Sequence, residues 1–357
     1  MMNRLIALLI FSVLATQSCD KKSGAPPPAP PPEPPVVSAD SFVNPLLTSG
    51  PDPWVIRKDN QYYYTHTLGN RIGIWKTSKM SELKNAPQTI VWTPTATGIN
   101  SKNIWAPELH TFDNKWYIYY TAGASADLAT QRTFVLENAN ADPTSGAWTD
   151  KGQIRDSTAD FFAIDGTVLT HNGKNYFAWS GQAMPADNTQ RLYIAAMSNP
   201  WTLETKRTLI SSPDYSWEKS GAPPAVNEGP EFITNPQGRL LLVYSASGCW
   251  TDDYALGVLM LKAGGDPLVA ADWTKHPTPI FVKQPANGAY GPGHNSFFKS
   301  VDGQEDWILY HANPAAGQGC KDFRSPRMQR FTWNADGTPN FGTPVKININ
   351  IKKPSGE

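Results

Sequence analysis

The chain has 357 residues, balanced by 31 basic and 31 acidic side chains, with a pI near 7.0. A neutral chain of this kind lacks the basic excess that nucleic acid or an anionic membrane surface would demand. Setting the first 42 residues aside leaves enough length for one sizeable domain, and 13 Trp with 13 Tyr supply bulky core material.

Residues 1–18 read as a signal peptide: Asn3-Arg4, an apolar run from Leu5 to Ala15, then small or polar residues. The run is short for a membrane span. Cys19 follows and is expected to be lipidated, which makes the chain an exported bacterial lipoprotein; plain secretion is the second reading. A membrane is then met only through that anchor. Residues 19–42 include a Pro-rich stretch, an extended tether without a core of its own. Whether residues 41–48 pair with the last structural unit is left open.

From there the chain repeats one pattern five times, at intervals of roughly 60 residues. A polar residue beside Gly or Pro leads into an apolar, β-prone run. The anchors are Asp52 in Gly50-Pro51-Asp52-Pro53-Trp54, Glu108 in Trp105-Ala106-Pro107-Glu108, Asp165 in Ile164-Asp165-Gly166, Glu228 in Asn227-Glu228-Gly229-Pro230, and His294 in Gly293-His294-Asn295-Ser296. Each is followed by a turn and a second aromatic or aliphatic strand. The turns include Asp59-Asn60, Asp113-Asn114, Asn172-Gly173, Gln237-Gly238 and Asp302-Gly303, which is hairpin chemistry. Repeated hairpins predict an all-β fold, a five-bladed β-propeller over residues 43–350 with its active site at one end of the central channel. The first strand of each blade lies nearest the axis, so the five anchors are expected to converge.

Convergence carries the functional expectation. Asp52 and Glu228 belong to non-adjacent blades and face each other, and Asp165 neighbours Glu228. Two acids across a channel suit glycoside hydrolysis, one protonated for the leaving oxygen and one ionised for water. A third carboxylate raises the acid's pKa by repulsion. Trp105 is either a platform for a sugar ring or a core plug. Arg324 or Arg327 either reaches the channel or forms a surface ion pair. His294 alone builds no metal site, although waters could complete the shell of a Ca²⁺-like ion there; no cofactor is required. Cys249 and Cys320 either bridge adjacent loops or stay separate thiols.

These motifs in this order resemble glycoside hydrolase family 43, over nearly all of residues 45–345. The resemblance implies a five-bladed propeller and an inverting mechanism, with Asp52 as general base, Glu228 as general acid and Asp165 as pKa modulator. It associates His294 with an axial ion and Arg324 with a substrate hydroxyl; Trp105 and Glu108 are expected on the substrate side. The substrates it implies are arabinose- or xylose-containing polysaccharides or oligosaccharides, with α-L-arabinofuranosides first. A β-xylosidase and an endo-arabinanase are rivals within the fold; a propeller that only binds glycans is the rival from another class.

Overall fold

The computed structural model describes residues 38–357. The expected signal peptide, Cys19 and all of the tether before residue 38 lie outside the described residues. What is described is all-β, with only short 3-10 turns between strands.

Five antiparallel strand sets follow one another. Set one is Trp54–Lys58, Gln61–Thr65, Ile72–Thr77 and Gln88–Trp92; set two is Lys102–Phe112, Lys115–Gly123, Arg132–Asn138 and Thr149–Gln153. Set three is Ala163–His171, Lys174–Gly181 and Thr189–Asn199, with the short strands Thr202–Leu203 and Thr208–Ser211 on its outer side. Set four is Ala225–Thr234, Leu240–Ala246, Ala255–Leu261 and Trp273–Lys275; set five is Tyr290–Lys299, Asp306–Asn313, Ser325–Trp333 and Pro339–Asn340. Sets three and four join into one nine-stranded sheet through a two-residue parallel pairing, Thr189 with Ala225 and Gln190 with Val226. The hairpin turns are where the sequence places them. Asp59, Asn60, Asp113, Asn114 and Asn172 all take positive φ, which Asn and Asp tolerate better than other L residues.

The second strand of each set shows why the sets stack. Side chains alternate between the two faces of a strand, so a run that is apolar at every position must be covered on both sides. Tyr62 and Tyr64 pack with Phe298, Trp307 and Leu309, whereas Tyr63 packs with Leu109, Trp116, Ile118 and Tyr120. Tyr117 and Tyr119 meet Phe177 and Trp179; Tyr176 and Ala178 meet Leu240, Leu242 and Tyr244. Leu241 and Val243 meet Ile308 and Tyr310. Five separate cores thus lie between successive sets, the last between sets five and one. The first strands of neighbouring sets also contact one another, including Tyr290–Lys299 against Trp54–Lys58.

Residues 41–50 run beside set five. Asn44 exchanges hydrogen bonds with Met328, and the Leu46 amide donates to the Pro326 carbonyl at 2.8 Å. Ser41–Phe42 pairs with Ile351–Lys352. The two ends of the described chain are therefore tied to each other.

Candidate active site

The site is built from an irregularity shared by the first strands. Pairing with the second strand skips between Trp105 and Glu108, Ile164 and Thr167, Glu228 and Glu231, and Gly293 and Ser296. Inside each gap one residue takes positive φ: Ala106 at 42°, Asp165 at 53°, Gly229 at 53° and His294 at 48°; Asp52, just before set one, is at 56°. Such bulges re-aim side chains next to active sites. The residue that follows is Pro53, Pro107, Gly166, Pro230 or Asn295. Proline gives up an amide where the ladder is broken anyway.

Each bulge amide donates to a neighbouring set. The Asp52 amide donates to His311 Nδ1 at 3.0 Å, Ala106 to Thr67 Oγ1 at 2.7 Å, and Asp165 to Thr121 Oγ1 at 3.0 Å. The Gly229 amide donates to the Asp165 carboxylate at 3.1 Å and the His294 amide to Ser245 Oγ at 2.8 Å. These bonds lock five left-handed residues in place and so fix where their side chains point.

The bulges also set the true register of the repeat: Asp52, Ala106, Asp165, Gly229 and His294 are equivalent. Glu108 sits two residues further along, at the level of Glu231. Both are buried, and Glu108 meets His110 Nε2 at 2.8 Å. Burial, then the adjoining Glu108, push Glu231 well above the usual carboxylate range. Glu108 is not among the residues that line the cavity described next.

That cavity, of about 360 Å³, is lined by Asp52, Asp165 and Glu228 together with Arg324, His294 and Gln190. Trp105, Leu128, Phe162, Ile164, Trp250 and the pair Cys249–Cys320 complete its walls. Cys249 and Cys320 are joined as a disulfide between the loops after Leu240–Ala246 and Asp306–Asn313. Arg324 reaches the site, while Arg327 is fully buried behind it, donating to the carbonyls of Gly288 and Ala312.

The three cavity carboxylates have different surroundings. Burial acts to raise the Asp52 pKa, but Arg324, His294, His311 and the Thr67 hydroxyl outweigh it and hold the group well below the usual range. Arg324 donates to Oδ1 at 2.7 Å and Thr67 to Oδ2 at 2.7 Å. His311 accepts the Asp52 amide at Nδ1, so that nitrogen carries no proton. Burial pushes both His294 and His311 down. Glu228 lies on the other side of the balance. Burial pushes it up to about 7, with Asp52 adding to the shift and the Tyr254 hydroxyl and Arg324 opposing it. Tyr254 donates to Oε1 at 2.8 Å. Burial, then Glu228 and Asp52, raise Asp165 well above its ordinary value. Glu228 and Asp165 repel as a buried pair, so the first proton they bind is held tightly.

Beneath Glu228 the chain is held by a network with no sequence signature. Glu218, fully buried, accepts from Asn227 Nδ2 at 2.9 Å, the Tyr244 hydroxyl at 2.8 Å and Lys275 Nζ at 2.8 Å. Asn227 further accepts from Ser211 Oγ, and its carbonyl accepts from Ser180 Oγ. The residue before Glu228 is thereby fixed on both its side chain and its backbone.

Sequence reasoning did not single out Tyr254, Trp250, Thr67 or His311. For three of the bulge acceptors a signal exists: an aromatic followed by a small polar residue or His near the end of the second strand, as in Tyr120-Thr121, Tyr244-Ser245 and Tyr310-His311. Tyr254 has no such signal. As for a cation at His294, no group of three or more His, Cys, Asp or Glu side chains among the described residues is arranged to hold a metal. The residues present do not fit a protein-caged ion.

An all-β chain that brings three carboxylates of unlike environment into one sugar-sized cavity has the equipment of a glycosidase. Residues 42–339 match the family described as Glycosyl hydrolases family 43, and the chain belongs to that family. An extracellular exo-alpha-(1->5)-L-arabinofuranosidase of Streptomyces avermitilis is 43% identical over 313 residues, which cover 85% of this chain and 64% of that protein. A protein of the same description from Streptomyces chartreusis is 38% identical over 275 residues, covering 76% of this chain and 82% of its own. The crystal structure of an alpha-L-arabinofuranosidase from Lactobacillus brevis superimposes with a TM-score of 0.81 at 36% identity, over 86% of this chain and 98% of that one. The chain spans about 64% of the length of its Streptomyces avermitilis and Humicola insolens relatives.

Proposed function

We propose that this protein is an inverting glycoside hydrolase that removes α-L-arabinofuranosyl units from arabinan or arabinoxylan. The reading rests above all on one observation: Asp52 and Glu228 line the same cavity, with one carboxyl driven down by a guanidinium and the other driven up by burial. The names of the Streptomyces and Lactobacillus relatives supply the sugar. The five strand sets are read as blades of a propeller, since their five cores and first-strand contacts run in a cycle.

In this reading Asp52, ionised, takes a proton from the attacking water. Glu228, protonated, gives its proton to the leaving oxygen. Asp165 keeps Glu228 protonated and orients it, and Trp105 with Arg324 and His294 borders the bound sugar. A screen with aryl α-L-arabinofuranoside, aryl β-D-xyloside and linear arabinan, with NMR of the anomer first released, tests it. Release of inverted arabinose as the monomer is the expected result. Xylose release would favour the β-xylosidase reading, oligomeric products the endo-arabinanase, and binding of arabinan without turnover a glycan-binding protein.

The pH profile follows from the same assignment. The acid works protonated, so kcat/KM should fall as pH rises through about 7. Asp52 stays ionised over the ordinary range and should contribute no rising limb there. Asp165 and Glu228 form a buried pair that holds its last proton tightly, and Asp165→Asn removes the partner whose repulsion tightens it, so the falling limb should move to lower pH; an unmoved limb would strip Asp165 of its role.

The protein is further read as exported and anchored through Cys19, with residues 19–42 as tether. The sequence of residues 1–18 and the word "extracellular" in the Streptomyces names support export. Cys19→Ser should move the protein from the membrane fraction to the soluble one, whereas unchanged fractionation would leave plain secretion.

A further inference from the structure

Trp250 stands apart from the other twelve tryptophans. It is 44% exposed, the only Trp among the exposed large apolar side chains of the described residues, yet it lies on the wall of the cavity. An exposed indole normally costs free energy, because its apolar faces stay in water. Here the exposure is built in. The ring rests on two glycines: a Cβ on Gly248 would fall 2.3 Å from Trp250 Cε2, and one on Gly221 would fall 2.5 Å from Nε1. Only glycine leaves room for the ring to lie flat there. The indole N–H donates to the Gly221 carbonyl at 3.2 Å, which fixes the ring's rotation.

The loop that carries Trp250 is held from both sides. Its neighbour Cys249 is bonded to Cys320, and the backbone of Gly319 packs behind Trp250. The Gly317 amide donates to Asp252 at 2.9 Å, and the Gly248 amide donates to the Ser220 carbonyl at 2.9 Å. The same loop continues to Tyr254, whose hydroxyl holds Glu228. Trp250, Tyr254 and Glu228 therefore belong to one strand set. An acid that protonates a leaving oxygen sits on the leaving-group side, and Trp250 shares both its strand set and its cavity.

We propose that Trp250, clamped by the Cys249–Cys320 disulfide, is a stacking platform for the sugar ring on the leaving-group side of the scissile bond. It thereby makes the site selective for a carbohydrate leaving group over a small one. A pentose ring presents an apolar C–H face to an aromatic, and a platform already fixed in place spends little conformational entropy on binding. The inference rests on the hydrolase reading above, because it takes Glu228 as the acid that defines the leaving-group side.

The test compares arabinotriose with methyl α-L-arabinofuranoside. In Trp250→Ala the ratio of kcat/KM on the trisaccharide to that on the methyl glycoside should fall roughly tenfold to a hundredfold, mostly through KM. Trp250→Phe should restore most of the ratio, and Cys249→Ser with Cys320→Ser should lower it by a smaller factor. Equal losses on both substrates, or none, would overturn the platform. Should the unaltered enzyme turn over neither substrate, the arabinofuranosidase reading fails by itself. Calorimetry of arabinotriose and xylotriose with Glu228→Gln, with and without Trp250→Ala, then decides the platform: weaker binding of either sugar without the indole upholds it, and equal binding or no binding refutes it.

Discussion

Glu228→Gln should abolish most turnover of linear arabinan, by about a hundred- to ten-thousandfold in kcat. The substitution is nearly isosteric. Gln can still accept the Tyr254 hydrogen bond, now made at 2.8 Å to the carboxyl, so the Tyr254 loop keeps its place. What vanishes is the proton. A sugar hydroxylate is a poor leaving group and needs that proton in the transition state; a nitrophenolate leaves largely unaided. The loss should therefore be large on arabinan and much smaller on an aryl arabinofuranoside. The falling limb near pH 7 should disappear with the group that causes it. Equal losses on the two substrates would point to damaged geometry rather than a missing acid. Thermal stability serves as a control: burial is what drives the pKa of Glu228 up, and a neutral amide avoids that cost.

The contrast between Glu228 and its neighbours shows what a sequence exposes and what it hides. Five turn-then-strand units were legible because Asp-Asn and Asn-Gly turns and short unbroken apolar runs are local properties. The all-β class follows from them. Asp52, Asp165, Glu228, His294, Trp105 and Arg324 do meet at one cavity. Glu108 carries the same local mark, a carboxylate near a proline, yet is not among the residues lining the cavity. Counting from the residue before Pro53, Pro107 and Pro230 gives the register the bulges adopt, and it puts Ala106, not Glu108, at the level of Asp52. The partners that set each pKa were not legible. Tyr254 reaches Glu228 across 26 residues and Arg324 reaches Asp52 across 272. Such contacts depend on the path of loops, which neither composition nor periodicity encodes. Arg324 lines the cavity and also donates to Asp52, a pairing that its sequence neighbours do not reveal.

That ion pair makes Asp52→Asn the second decisive substitution. As a base, Asp52 must be ionised and must accept a proton from water; Asn does neither. The expected loss is about a hundred- to ten-thousandfold in kcat on every substrate, aryl glycosides included, because the attacking water must be activated whichever group leaves. The structural cost is separate. Arg324 and Thr67 both donate to the Asp52 carboxylate, at 2.7 Å each, and an amide can satisfy only one of them through its oxygen. With that oxygen turned to Arg324, the amide nitrogen can donate to Thr67 Oγ1, so what is lost is the charge opposite the guanidinium. Destabilisation of about 1–3 kcal/mol is expected, from a charge-assisted hydrogen bond weakened in a buried site. Activity loss at a temperature far below the melting point separates the two effects. Added azide supplies a nucleophile that needs no base: its nitrogen bonds to the anomeric carbon as the bond to the leaving oxygen breaks, with Glu228 donating the proton. Azide should thus restore turnover of the aryl arabinofuranoside and yield an arabinosyl azide of inverted configuration. Recovery with retained configuration, or near-normal activity without azide, would remove Asp52 from the role of base, whatever its protonation state.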